Sequence, residues 1–65
     1  EYQKFIIPDM VGDMDRVFYR NRRNNRWWTE IPTKRGLQVF SCSEEDYTAA
    51  IENQMPKIWL KYFMR

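Results

Sequence analysis

Two runs rich in β-branched and aromatic residues, Arg16-Val17-Phe18-Tyr19-Arg20 and Arg26-Trp27-Trp28-Thr29-Glu30-Ile31, flank Asn21-Arg22-Arg23-Asn24-Asn25. Such residues fit a pleated surface, and asparagine tolerates the left-handed conformations of turns. The pair therefore reads as a β-hairpin. It constrains the chain strongly, because an isolated two-stranded hairpin is marginal in water and needs further strands or a covering helix. Pro32 ends the second run, since proline cannot donate to a ladder. Thr33-Lys34-Arg35-Gly36 reads as the next turn, with Gly36 free to take positive φ. Leu37-Gln38-Val39-Phe40-Ser41 follows as a third short strand.

The period then changes. Ser43-Glu44-Glu45-Asp46 is a helix start, a hydroxyl cap with acidic residues at the positive end of the macrodipole. Tyr47, Ala50 and Ile51 fall on one helical face. Pro56 suits the first turn of a second helix, in which Ile58, Trp59, Tyr62 and Phe63 form an apolar stripe opposite Lys57, Lys61 and Arg65. The expected class is α+β: a three-stranded antiparallel sheet (about 16–20, 26–31, 37–41) packed against a helix at about 44–54, with a second short helix at about 57–64. One small domain spans residues 1–65, with 1–15 as an acidic arm or edge strand (its Phe5-Ile6-Ile7 the candidate strand), 16–54 as a βββα core and 55–65 as an amphipathic helix.

A 65-residue chain buries only about 60% of the surface its unfolded form exposes. Three Trp, four Tyr and four Phe supply the material for a core. With one cysteine, Cys42, no internal disulfide forms, which favours an intracellular home, nuclear or cytoplasmic. No apolar run reaches membrane-spanning length, no signal-peptide pattern is visible, and a start at Glu1 rather than Met reads as an excised or processed segment. Histidine is absent, which removes Ser-His and Cys-His nucleophile pairs and zinc sites of His and Cys. A deep cleft is hard to build at this size, so the chain reads as non-catalytic, with no cofactor and no metal.

Charge is concentrated. Residues 1–15 carry a net −3, residues 16–35 a net +6 and residues 36–65 a net −1, giving +2 overall. Strand alternation allows Val17, Tyr19, Trp27, Thr29, Ile31, Leu37, Val39 and Ser41 to share a core face under the first helix. The opposite face then carries Arg16, Phe18, Arg20, Arg26, Trp28, Glu30, Gln38 and Phe40. Interleaved guanidinium groups and rings suit nucleic acid: arginine pairs with phosphate or guanine acceptors, and rings meet base methyls or sugars. The competing reading has residues 58–63 or 5–7 fold over this face as a second core layer, leaving the arginines a solvated rim.

The basic first strand, the hairpin turn, the strand Arg26-Trp27-Trp28-Thr29-Glu30-Ile31, the strand ending in Phe40 and the acidic-capped helix with Tyr47, Ala49, Ala50 and Ile51 together resemble a known family. It is the ethylene-response-factor (APETALA-type) DNA-binding domain, an arrangement similar to the arm-binding domain of tyrosine recombinases. The resemblance covers residues 16 to about 54 and implies a sheet laid in the DNA major groove with the helix behind it. It implies base contacts for Arg16, Arg20 and Arg26, a sugar or base contact for Trp28, and phosphate contacts for Arg22, Arg23, Lys34 and Arg35. The family's usual strand-one glycine is missing here, and residues 1–15 and 58–63 have no counterpart in its core motif.

The leading expectation is thus a small nucleic-acid-binding domain, DNA favoured, working through Arg16, Phe18, Arg20, Arg22, Arg23, Arg26, Trp28, Lys34 and Arg35. The alternative is a protein-interaction module, a subunit of a larger assembly or a regulatory or viral inhibitor docking on an acidic partner. Asp9, Asp13 and Asp15 lack calcium-loop spacing and read as an ordinary acidic loop. Cys42, beside a helix start that can lower a thiol pKa, reads as structural. Ile58, Trp59, Tyr62 and Phe63 read as core, or otherwise as a dimer or partner face.

Overall fold

A computed structural model describes residues 1–8 and 14–63. Four strands, β1 (Tyr2–Ile7), β2 (Arg16–Asn21), β3 (Trp27–Thr33) and β4 (Gly36–Cys42), form an antiparallel sheet in chain order. Two helices follow, α1 (Glu44–Ile51) and α2 (Lys57–Tyr62), so the class is α+β. The sheet has one strand more than expected: the 5–7 run extends to a six-residue edge strand paired along its whole length with β2. The strand at 26–31 also runs on through Pro32. Thr33 and Gly36 close the two-residue loop, so Pro32 opposite Leu37 is the next, non-hydrogen-bonded position. Its nitrogen faces the β2 side, where pairing has ended at Val17↔Glu30 and no donor is required.

The larger correction concerns which residues face the helices. Phe18 lies opposite Thr29 and Arg20 opposite Trp27; Thr29 in turn lies opposite Phe40 and Trp27 opposite Cys42. The covered face therefore carries Phe5 and Ile7, Arg16, Phe18 and Arg20, Trp27, Thr29 and Ile31, and Gln38, Phe40 and Cys42. Val17, Tyr19, Leu37, Val39 and Ser41, expected inside, lie on the open face with Trp28 and Glu30. In β2 the cause is the parity of the hairpin; in β4 the even turn Thr33–Gly36 pairs Ile31 with Gln38, which puts Leu37, Val39 and Ser41 out of phase with Ile31. Asn21 N–H bonds the Arg26 carbonyl at 2.8 Å, so the loop holds 22–25 rather than 21–25, and odd positions of β3 pair with even positions of β2. A one-residue change of register moves every side chain to the other face. Two asparagines build this shorter loop: Asn21 Oδ1 accepts from Arg23 N–H at 2.8 Å, and Asn24 Oδ1 accepts from Arg26 N–H at 3.0 Å. Asn25 takes the left-handed conformation, with φ 58°.

The covered face accepts two arginines because ring contact and an acceptor oxygen hold each guanidinium, although Arg20 Nε is buried without a hydrogen-bond partner. Arg16, 5% exposed, donates from Nη1 to the Gln54 carbonyl at 2.9 Å and lies over the Trp59 ring. Arg20 lies against the Phe5 and Trp27 rings and donates to Gln3 Oε1 at 2.8 Å. Tyr47 from α1 fills the space between Phe5, Phe18 and Trp27, with ring centroids 4.8–5.7 Å away. Ala50 is buried beside it, whereas Ile51, expected on the same stripe, points to solvent.

Helix α1 stops three residues earlier than expected. Asn53, at φ 57°, donates to the Ala50 carbonyl, and Gln54 donates to the Ala49 carbonyl, a left-handed stop that satisfies the last carbonyls. Pro56 sits immediately before α2 as its cap rather than in its first turn. Asp46 ties the two helices together: one oxygen accepts from Ser43 N–H and Oγ–H at 3.0 and 3.1 Å, the other from Ile58 N–H at 3.3 Å. From α2, Trp59 enters the core at 2% exposure and donates from Nε1 to Thr29 Oγ1 at 3.1 Å. That hydroxyl donates to the Val17 carbonyl. Tyr62 stacks on Phe40 at 4.1 Å and Phe63 packs on Trp59. The stripe at 58–63 is thus a core layer of the covered face.

Candidate interaction surface

Both helices lie on one side, and the other side of the sheet is covered by no described helix. Its side chains are Tyr2, Lys4 and Ile6 from β1, Val17, Tyr19 and Asn21 from β2, Trp28, Glu30 and Pro32 from β3, and Leu37, Val39 and Ser41 from β4. Tyr2, Ile6, Leu37 and Val39 are 54–64% exposed. Only Lys4 and Glu30 carry charge among these twelve positions.

Aromatic residues organise the centre. Tyr19 and Trp28 are direct cross-strand partners, and Tyr2 reaches across β2 to set its ring at 82° to Trp28, with centroids 5.4 Å apart. Together with Val39 they line a shallow depression of about 260 Å³. Lys4 Nζ lies 6.0 Å from the Tyr19 ring centroid. The Tyr19 hydroxyl donates to a Glu30 carboxylate oxygen. That hydrogen bond, followed by burial and the Glu30 charge, raises the Tyr19 pKa above its ordinary 10.0.

The sign of this effect sets a pH window. A phenol whose folded-state pKa is raised stays protonated when its unfolded counterpart ionises, so the contact stabilises the fold up to about pH 10 and its contribution falls at higher pH. Ultraviolet titration of tyrosinate is expected to show one late component in the wild type. In Glu30→Gln that component moves to lower pH, and an unchanged titration curve would count against the Tyr19–Glu30 contact.

The residues expected to contact nucleic acid do not gather on one face. Arg16 and Phe18 are buried and Arg20 is half-buried under α1. Arg22, Arg23 and Arg26 are exposed at the β2–β3 turn, while Lys34 and Arg35 are exposed at the β3–β4 turn. These two basic ends are separated by the length of β3, roughly 23 Å at strand rise. Trp28 is half-buried and belongs to the open face. Reading β2 and β4 in the wrong phase is what hid this face; the signal that finds it is the even number of residues between the strands.

Elsewhere, burial and then the nearby Asp46 push the Cys42 thiol up to about 12, so it is no thiolate at neutral pH. A groove of about 740 Å³ runs between the end of β4 and the two helices, with Glu44, Glu45 and Glu52 facing Lys57 and Lys61. Among the described residues, no three His, Cys, Asp or Glu side chains gather as metal ligands. Asp9 and Asp13 lie outside the described residues, and Asp15 is exposed. No described helix is long and apolar enough to cross a membrane. Comparison with known proteins finds no family model, no curated protein and no solved structure that matches this chain.

Proposed function

We propose that this chain is a non-catalytic protein-interaction module whose working surface is the open sheet face around Trp28, docked against an apolar, charge-poor protein surface. One observation carries the reading: a full side of the sheet presents Tyr2, Ile6, Leu37 and Val39 to solvent with only Lys4 and Glu30 charged among its residues. A contiguous apolar patch of this kind on a small domain marks a contact site, whereas a surface for phosphates carries cations.

A second reading, a nucleic-acid-binding domain with DNA favoured, rests on a different observation. Arg22, Arg23 and Arg26 stand exposed within one tight turn, suited to phosphate. Arg16 and Phe18 have no part in it, because both are buried.

Two titrations separate these readings. With duplex DNA at about 50 mM and 200 mM salt, the interaction reading expects weak, sequence-independent binding that is lost at the higher salt. An environment-sensitive apolar dye is expected to bind wild type and to lose that binding in Leu37→Lys with Val39→Lys, with the circular dichroism unchanged. Tight DNA binding that survives the higher salt and is abolished in Arg22→Glu with Arg23→Glu would overturn the interaction reading in favour of the second.

A further inference from the structure

We infer that the partner for the open face is a second copy of this chain, the two sheets packing face to face about a twofold axis. This inference rests on the interaction reading above and adds the identity of the partner. Three observations support it.

The first is charge. Lys4 stands on β1 in the row of Tyr19 and Trp28, and Glu30 stands on β3 in the next row, with Val17 and Val39. The midpoint between them falls on β2, between Tyr19 and Val17, near the centre of the face. A twofold axis through that point, in the plane of the interface and perpendicular to the Lys4–Glu30 line, sets Lys4 of each copy over Glu30 of the other. The Lys4–Glu30 pair then forms twice across the interface, and neither charge is buried against its like. Glu30 retains acceptor capacity beyond the Tyr19 bond, and Lys4 is exposed.

The second is geometry. Strand spacing and rise place Lys4 and Glu30 about 9.6 Å apart across the strands and about 6.8 Å apart along them, so the strands of the two copies cross at roughly 70°. That is closer to orthogonal than to aligned sheet packing. It leaves the Arg22–Arg23 turns of the two copies at the same end of the axis, their directions about 70° apart, and the apolar residues of one face meet those of the other in an isologous contact.

The third is area. One face of the four-stranded sheet has a plan area of roughly 400 Å² from strand dimensions. Two such faces bury on the order of 800–1,000 Å², below the roughly 1,200 Å² at which stable specific interfaces begin and in the range of weak, transient ones, which corresponds to a weak, reversible dimer.

The test is sedimentation equilibrium of the intact chain from about 10 µM to 1 mM. The expected result is a monomer–dimer equilibrium within that range. Leu37→Lys with Val39→Lys is expected to weaken it by about tenfold or more. Lys4→Glu and Glu30→Lys each weaken it by about 3- to 10-fold, and the two together restore it to within about 3-fold of wild type. Circular dichroism and the unfolding midpoint report whether each variant stays folded; Lys4→Glu, an exposed change, remains informative if Glu30→Lys does not fold. A strictly monomeric chain across the range, a dimer indifferent to Leu37 and Val39, or failure of the charge swap to recover association in folded variants overturns the second-copy partner. A monomer that still binds the apolar dye on the open face refutes only this partner, whereas salt-resistant DNA binding through Arg22 and Arg23 refutes the interaction reading itself.

Discussion

Trp59→Ala is expected to remove from about a third to all of the chain's stability at 25 °C. Removing a large buried aromatic side chain costs about 3–5 kcal/mol through lost transfer energy and the cavity left behind. A chain of 65 residues has a total stability of only about 3–10 kcal/mol. Trp59 is 2% exposed, and its indole N–H satisfies the hydroxyl of Thr29, itself fully buried at the middle of the sheet. Its loss also removes the ring under the Arg16 guanidinium and the surface on which Phe63 packs. Trp59→Phe retains most of the ring but leaves Thr29 without its indole partner, and is expected to cost less, about 1–3 kcal/mol. Urea unfolding followed by circular dichroism measures both; a Trp59→Ala chain as stable as wild type would show that α2 is not part of the core.

Phe18→Ala is expected to cost a similar amount, about 3–5 kcal/mol, whereas Val39→Ala at low protein concentration changes stability by no more than about 0.5 kcal/mol. Phe18 is fully buried against Tyr47, and Val39 is 59% exposed on the other side of the sheet. The contrast tests the hairpin register directly. If odd positions of β2 and β4 faced the helices, the order of the two effects would reverse.

Much of the fold is readable from residue types alone. The β2–β3 hairpin, the strand at 37–41, the Ser43 helix start and the apolar stripe on α2 all follow from local chemistry, and all are present. What local chemistry does not carry is the phase of the strands. In β2 both alternations offer an aromatic ring: Tyr19 beside Val17 on one side, Phe18 between two arginines on the other. Charge argues for placing Arg16 and Arg20 outside. The contacts that reverse this reach Trp27 across the hairpin and, from segments remote in sequence, the Gln54 carbonyl, Gln3 and the rings of Phe5 and Trp59. Only the length of the loop encodes the answer locally, and one asparagine assigned to the turn instead of the strand inverts it.

The candidate surface was readable in part for the same reason. Trp28 belongs to an open face, as expected, but its companions there are Tyr2, Tyr19, Leu37 and Val39 rather than arginines. The edge strand β1 contributes Tyr2 and Lys4, which an assignment of residues 1–15 as arm or edge strand did not bring to this face. The basic turn residues Arg22, Arg23, Lys34 and Arg35 are solvent-exposed, at opposite ends of the sheet.

Strand order that follows chain order also has a kinetic consequence. The β2–β3 ladder is closed by the four-residue loop 22–25 inside the Asn21–Arg26 bond and the β3–β4 ladder by a two-residue loop, so little loop-closure entropy opposes their nucleation. The segment joining β1 to β2 spans residues 8–15, and β1 holds the sheet by a single ladder. The first strand is therefore the last to zip on and the first to peel away, and its amides should exchange with deuterium ahead of those in β3.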